Sequence, residues 1–221
     1  MRKIYKVVKQ NNEPADLTND ILWKNIAEIK INSHSYLWKK NNYCPNVIIK
    51  MFHTENSIYL KFKVFEKKIT IKHTEFGSEV WKDSCVEFFI NPYPNKSEDY
   101  FNIEINALGT ALIGVGKKRG NGKRYHFKKE EVKDWEIIFS VKNLIAGEHG
   151  KNFWELYIQI PKSFFKNRYN EYLNIKNCIA NFYKCGDETE FVHYGAWNKI
   201  ESPVPNFHLP EYFGELQFLE N

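Results

Sequence analysis

Arginine is scarce in this chain. Of 32 basic residues only Arg2, Arg119, Arg124 and Arg168 are arginine, and the lysines are spread along the sequence among asparagine and isoleucine. The net charge of +5 therefore lacks the clustered guanidinium forks of a nucleic-acid surface, and no nucleic-acid partner is expected. The one basic run, Lys117-Lys118-Arg119 with Lys123-Arg124, reads as a solvated hairpin tip. No apolar run approaches the roughly 18 residues of a membrane span. Met1-Arg2-Lys3-Ile4-Tyr5-Lys6 is basic but no apolar stretch follows it, so no signal peptide is expected. A soluble, cytoplasmic chain without a membrane partner is the expectation, or an extracellular one if a longer form is processed.

Other absences narrow the chemistry. Cys44, Cys85, Cys178 and Cys185 show no metal-type spacing and are too few for a disulfide framework. Cys85 and Cys178 lie in apolar runs and read as buried thiols. With Met1 and Met51 the only methionines and no evident histidine pair, a haem-carrying module on a sandwich fold has no axial ligands to propose. There is no Gly-x-Ser-x-Gly elbow and no catalytic-cysteine signature. The glycine-rich stretch Gly114–Lys123 fits neither phosphate-loop template and reads as a flexible hairpin loop. His193 and His208 sit in no ligand motif.

What is abundant is aromatic side chain, 16% of 221 residues, in short alternating runs. Ile58, Leu60, Phe62 and Val64 share one face of a strand, and Phe101, Ile103, Ile105 and Ala107 one face of another. Eleven such runs are separated by turn signals, among them Asn106-Ala-Leu-Gly109 as a tight hairpin. Helices are few: one capped at Thr18-Asn19-Asp20 and running towards Ile29, and one turn after Pro161. The Pro203–Pro210 segment reads as an extended surface loop. The expected fold is all-β: residues 1–221 form one antiparallel sandwich of about ten strands with one or two short helices.

The chemistry gathers around Val80–Ile90. If Val86, Phe88 and Ile90 face the core, Glu87 faces the other way, six residues after Trp81. Asn102, Glu104 and Asn106 project together from another strand. Should that strand pair with the first, four polar groups share a patch suited to sugar hydroxyls, each both donor and acceptor. Trp81 and Trp197 have polar or turn-like neighbours, whereas Trp135 and Trp154 read as core. Two loop tryptophans could cover a pyranose, at about 100 Å² and roughly 2–3 kcal/mol per face. After association costs, the affinity falls in the micromolar to millimolar range. The same carboxylates, Glu87 and Glu104, form a candidate pair for a glycoside-cleaving enzyme, an alternative that needs a deep cleft.

These residues carry a family resemblance over most of the chain. Trp81-Lys-Asp-Ser-Cys-Val-Glu87-Phe-Phe, Tyr100-Phe-Asn-Ile-Glu-Ile-Asn106-Ala-Leu-Gly109-Thr, Ala180-Asn-Phe-Tyr-Lys-Cys-Gly-Asp187, His193-Tyr-Gly-Ala-Trp197 and Phe207-His-Leu-Pro-Glu211-Tyr-Phe-Gly214 resemble the family 9 carbohydrate-binding modules, in particular their stand-alone branch. The resemblance implies a jelly-roll-like sandwich and a non-catalytic protein that holds a glucose- or xylose-type mono- or oligosaccharide, or a chain end, between two tryptophans. Trp81 and Glu87 take the places of the loop tryptophan and the strand carboxylate. Asn102 and Glu104 stand where the family has arginine and asparagine, a departure that bears on which sugar is preferred. Trp197 is the matching second plate. No cofactor is implied beyond a structural calcium ion, for which no Asp-rich loop is evident.

Overall fold

The structure, a computed structural model, describes residues 2–38, 41–118, 123–142, 152–169 and 176–220. The centre of the glycine-rich hairpin loop therefore lies outside the described residues. Among the described residues thirteen strands run in chain order: β1 (Ile4–Lys9), β2 (Ile29–Ile31), β3 (Asn46–His53), β4 (Ser57–Glu66), β5 (Cys85–Asn91), β6 (Tyr100–Asn106), β7 (Ala111–Gly116), β8 (Tyr125–His126), β9 (Glu136–Lys142), β10 (Asn152–Pro161), β11 (Asn177–Gly186), β12 (His193–Ala196) and β13 (Gly214–Phe218). One sheet has the order β8-β7-β6-β5-β11-β13-β1, and the other β1-β3-β4-β10-β9. β12 extends β11 beyond β13, and β2 lies on β3.

β1 joins the sheets. Its Ile4–Val7 pair with β13 and its Val8 and Lys9 with β3, both in parallel. The sandwich is thus mixed, with every other strand pair antiparallel. β2 and β8 are too short for an alternating pattern to reveal.

Alternation builds the core. Val47, Ile49 and Met51 of β3, Ile58 to Val64 of β4 and Trp154 to Ile160 of β10 face Val86, Phe88 and Ile90 of β5, Phe101, Ile103 and Ile105 of β6 and Ala180 and Phe182 of β11 in one buried cluster. The helices are peripheral. Asn19 accepts from the Ile21 amide and caps α1 (Asp20–Trp23). The helix stops once Trp23 is buried with its indole N–H on Leu17 O at 2.8 Å. The second, α2 (Lys162–Tyr169), begins directly after Pro161. No helix among the described residues is long and apolar enough to cross a membrane. At the β6–β7 turn Gly109 sits at φ +83°, where a side chain is strained. Asn106 Oδ1 accepts there from the amides of Leu108 and Thr110.

One end of the core is polar. Lys184 points inward from β11 and is wholly buried. Its ammonium meets Glu66 Oε1 at 2.6 Å, Cys185 O at 2.7 Å and His193 Nε2 at 2.9 Å. Glu66 Oε2 accepts from the Trp154 indole at 2.9 Å. His193 Nδ1–H donates to Phe191 O at 2.6 Å. Both ring nitrogens are committed, one donating and one accepting, so the ring is neutral. Burial and the Lys184 charge lower its pKa to about 2.

An unfolded histidine takes a proton near pH 6.5 and this folded one does not. Its contribution to stability is therefore present above about 6.5 and is lost as the pH falls towards the folded value. The loss approaches about 1.4 kcal/mol per pH unit. His193→Gln, whose amide oxygen can accept from Lys184, is expected to flatten the decline between about pH 7 and pH 5 in urea denaturation. Parallel curves for the two proteins would contradict this.

Candidate functional site

Part of the outer face of the first sheet, over β5, β6 and β11, is closed to solvent. Residues after β12 fold back over it, and Ile200, Leu209 and Phe213 pack on Phe89, Tyr100 and Tyr183. The proline-rich segment, expected as a surface loop, is the edge of this cover: Pro203 to Pro205 are exposed while His208 and Leu209 are buried. Between the cover and the sheet an open pocket of about 490 Å³, mouth included, is lined by Trp81, Glu87, Glu104, Cys185, Asp187, Tyr194, Pro205, Asn206, Phe207 and His208.

Each wall has a local cause. Trp81 sits half-buried in a 3-10 turn, Val80–Lys82, anchored by the buried Val80. Its carbonyl accepts from the Asp187 amide at 3.2 Å, and the Lys82 carbonyl from the Glu188 amide at 3.0 Å, which staples the turn to the end of β11. The next residue, Asp83, is fully buried and accepts from the amides of Lys72 (3.0 Å) and His73 (2.9 Å) and from Asn106 Nδ2 (2.9 Å). Asp83→Ala strands those three donors. It is expected to cost on the order of 3 kcal/mol, read as a lower denaturation midpoint with an unchanged m-value.

The floor is polar. Glu87 and Glu104 are direct partners across β5 and β6, and each is 4% exposed. Burial pushes the Glu87 carboxyl well up, and the neighbouring Cys185 and Glu104 add to it. Desolvation and the adjacent carboxyl both favour the protonated form of Glu87. The floor can thus both donate and accept. The Cys185 thiol donates to Glu87 Oε1 at 2.9 Å. Burial likewise lifts Cys85, to about 11, and Cys185, so both are thiols at neutral pH. The four cysteines are unbridged. Two sulfurs and a carboxylate do not fit a calcium ion, which takes roughly six to eight oxygens.

Asn102 is behind this wall rather than on it. Its Nδ2 donates to Glu104 Oε1 at 2.9 Å, and its Oδ1 accepts from Arg124 Nη2 at 2.6 Å. It orients Glu104 within a space left by Gly114, where an added Cβ would lie 2.7 Å from Asn102 Oδ1.

Trp197 requires a correction. It is 6% exposed, belongs to the main core, meets Phe182 edge-on at 5.7 Å and does not line the pocket. The backbone of Gly214 leaves the hole its ring fills. The aromatic walls besides Trp81 are Tyr194 and Phe207. Phe207 stacks on Tyr183 with centroids 4.1 Å apart, and Trp38 packs on both Phe207 and Tyr194. Asp187 and His208, whose Nδ1 lies 2.7 Å from Tyr100 Oη, complete the lining. Both fall inside motifs quoted for the resemblance, but only the folded-back segment shows that they converge.

The site pairs an aromatic plate with hydrogen-bonding groups of both senses, which suits a neutral polyol. The chain also matches known proteins. It is 29% identical to a Bacteroides uniformis protein provisionally termed carbohydrate-binding, with a TM-score of 0.84 over 99% of this chain and 100% of that one. A family 9 carbohydrate-binding module from Caldicellulosiruptor kristjanssonii, solved with glucose, is 12% identical with a TM-score of 0.63 over 98% of this chain and 97% of that one. The same organism's module with cellotriose gives 13% and 0.62, over 98% and 93%. At such identities these two modules speak to the fold, a β-sandwich, and not to the ligand. No curated protein matches the chain. The sequence profile of "Carbohydrate-binding family 9" matches residues 16–218, and the chain belongs to that family.

Proposed function

We propose that this protein is a non-catalytic sugar binder that holds a glucose- or xylose-type ring, free or at a chain end, in the pocket beside Trp81. The observation that carries the reading is the convergence of Trp81, Glu87 and Glu104 on one opening. An indole covers the apolar face of a pyranose, and the carboxyl pair meets its hydroxyls as donor and acceptor. Asn102 acts from behind by fixing Glu104. Tyr194 or Phe207 supplies the second apolar wall, a part Trp197 does not play. The family match over residues 16–218 supports this class of ligand.

Titration of glucose, xylose and their β-linked oligomers, followed by tryptophan fluorescence and calorimetry, is expected to give saturable binding in the micromolar to millimolar range. A flat response to every sugar at millimolar concentration overturns the reading. A glycoside-cleaving activity is the second reading, favoured by one feature: burial favours the protonated form of Glu87, the form a general acid needs. Against it, Glu87 and Glu104 project side by side from one wall instead of flanking a bond. Release of chromophore from aryl glycosides, abolished in Glu87→Gln, would decide for the enzyme.

A further inference from the structure

Cys85 and Cys185 are direct cross-strand partners on β5 and β11. Alternation puts both sulfurs on the face that carries Glu87, two residues along from Cys85. The two sulfurs and a Glu87 oxygen all lie within 4.8 Å of one another, and all three residues are buried. Both thiols pack beside Val80, Leu112 and Tyr194, and Cys185 and Glu87 open onto the pocket.

We propose that Cys85, Cys185 and Glu87 form a binding site for a thiophilic divalent cation of the zinc class, set in the floor of the pocket. Two sulfurs and one carboxylate select such an ion over calcium or magnesium, which prefer all-oxygen shells. Three protein ligands beside an opening leave the fourth tetrahedral position to water or a ligand hydroxyl. Binding displaces the protons of both thiols, and any proton on the Glu87 carboxyl, as the bonds to the metal form, with no change of oxidation state. The buried Lys184, whose ammonium donates to the Cys185 carbonyl, offsets part of the negative charge gathered on the ligands.

The site does not rest on the sugar reading, although Glu87 is common to both. Sugar titrations on metal-stripped protein keep failure of one distinct from failure of the other. The test uses the full chain, reduced and metal-stripped, with Co2+ as optical probe and Zn2+ as competitor. One equivalent of Co2+ is expected to bring thiolate charge-transfer absorption, with about two to three protons released per ion. Zn2+ should remove the absorption. Cys85→Ser and Cys185→Ser should abolish it, and Glu87→Gln should weaken binding at least tenfold. Cys178→Ser, whose sulfur is buried beside Leu216 O, should leave binding unchanged. X-ray absorption of the zinc-loaded wild-type chain needs no variant to fold and should show two sulfurs at about 2.3 Å. Absence of the charge-transfer band, its survival in Cys185→Ser, or a zinc shell without two sulfurs overturns the proposal.

Discussion

Lys184→Met is expected to destabilise the protein by about 3–5 kcal/mol, a large part of the stability of a domain this size. The reason lies in what is left behind. Lys184 and Glu66 are both essentially inaccessible, and the ammonium donates to three acceptors: Glu66, His193 and the Cys185 carbonyl. Removing it strands a carboxylate in the interior, with the Trp154 indole still donating to its other oxygen. A single missing partner costs far more than the pair is worth, because the desolvation of both charges already offsets most of their attraction. The double replacement Lys184→Met with Glu66→Gln should therefore recover much of the loss, since the amide oxygen of the glutamine can still accept from Trp154. Chemical denaturation of the wild type, both single variants and the double variant measures this coupling. Additive losses would show that the two charges do not act as a unit.

Trp81→Ala is expected to weaken sugar binding by roughly 30- to 160-fold, the equivalent of one covered ring face at about 2–3 kcal/mol. Because the wild-type affinity is itself weak, such a loss reads as no binding in an ordinary titration. Trp81 is half-buried at the pocket edge, so its loss should leave the fold intact. Trp197→Ala should do the reverse. It empties a core position and is expected to cost about 3–5 kcal/mol in stability, with folded molecules binding sugar nearly as before. The pair of variants separates the pocket from the core. Equal loss of affinity in both, at temperatures where both are folded, would contradict the assignment.

Much of this fold was legible because alternation is a local signal. Ile58 to Val64 and Phe101 to Ile105 declare their faces without reference to any other strand, and both pack as read. Asn106 and Gly109 mark their turn for equally local reasons. Glu87 is conspicuous as a lone carboxylate in an apolar strand, and the register of β5 on β6 sets it against Glu104. The parallel pairing of β1 left no trace, since strand direction is not written in the alternation of one strand. Trp197 misled for a related reason. Its neighbours Gly195 and Ala196 look like a loop, yet they end a strand, and the hole for the indole is made by Gly214. The cover that turns a solvated sheet face into a pocket is likewise a long-range product. Asp187, Tyr194, Phe207 and His208 come from three separate places in the chain, and no spacing announces their meeting.

The most direct test of the account is a structure of the metal-stripped chain with glucose or cellotriose. A pyranose should lie against the Trp81 indole, with hydroxyls within hydrogen-bonding distance of the Glu87 and Glu104 carboxyls and Trp197 out of contact. A ring seated away from Trp81, or one that reaches neither carboxyl, contradicts it.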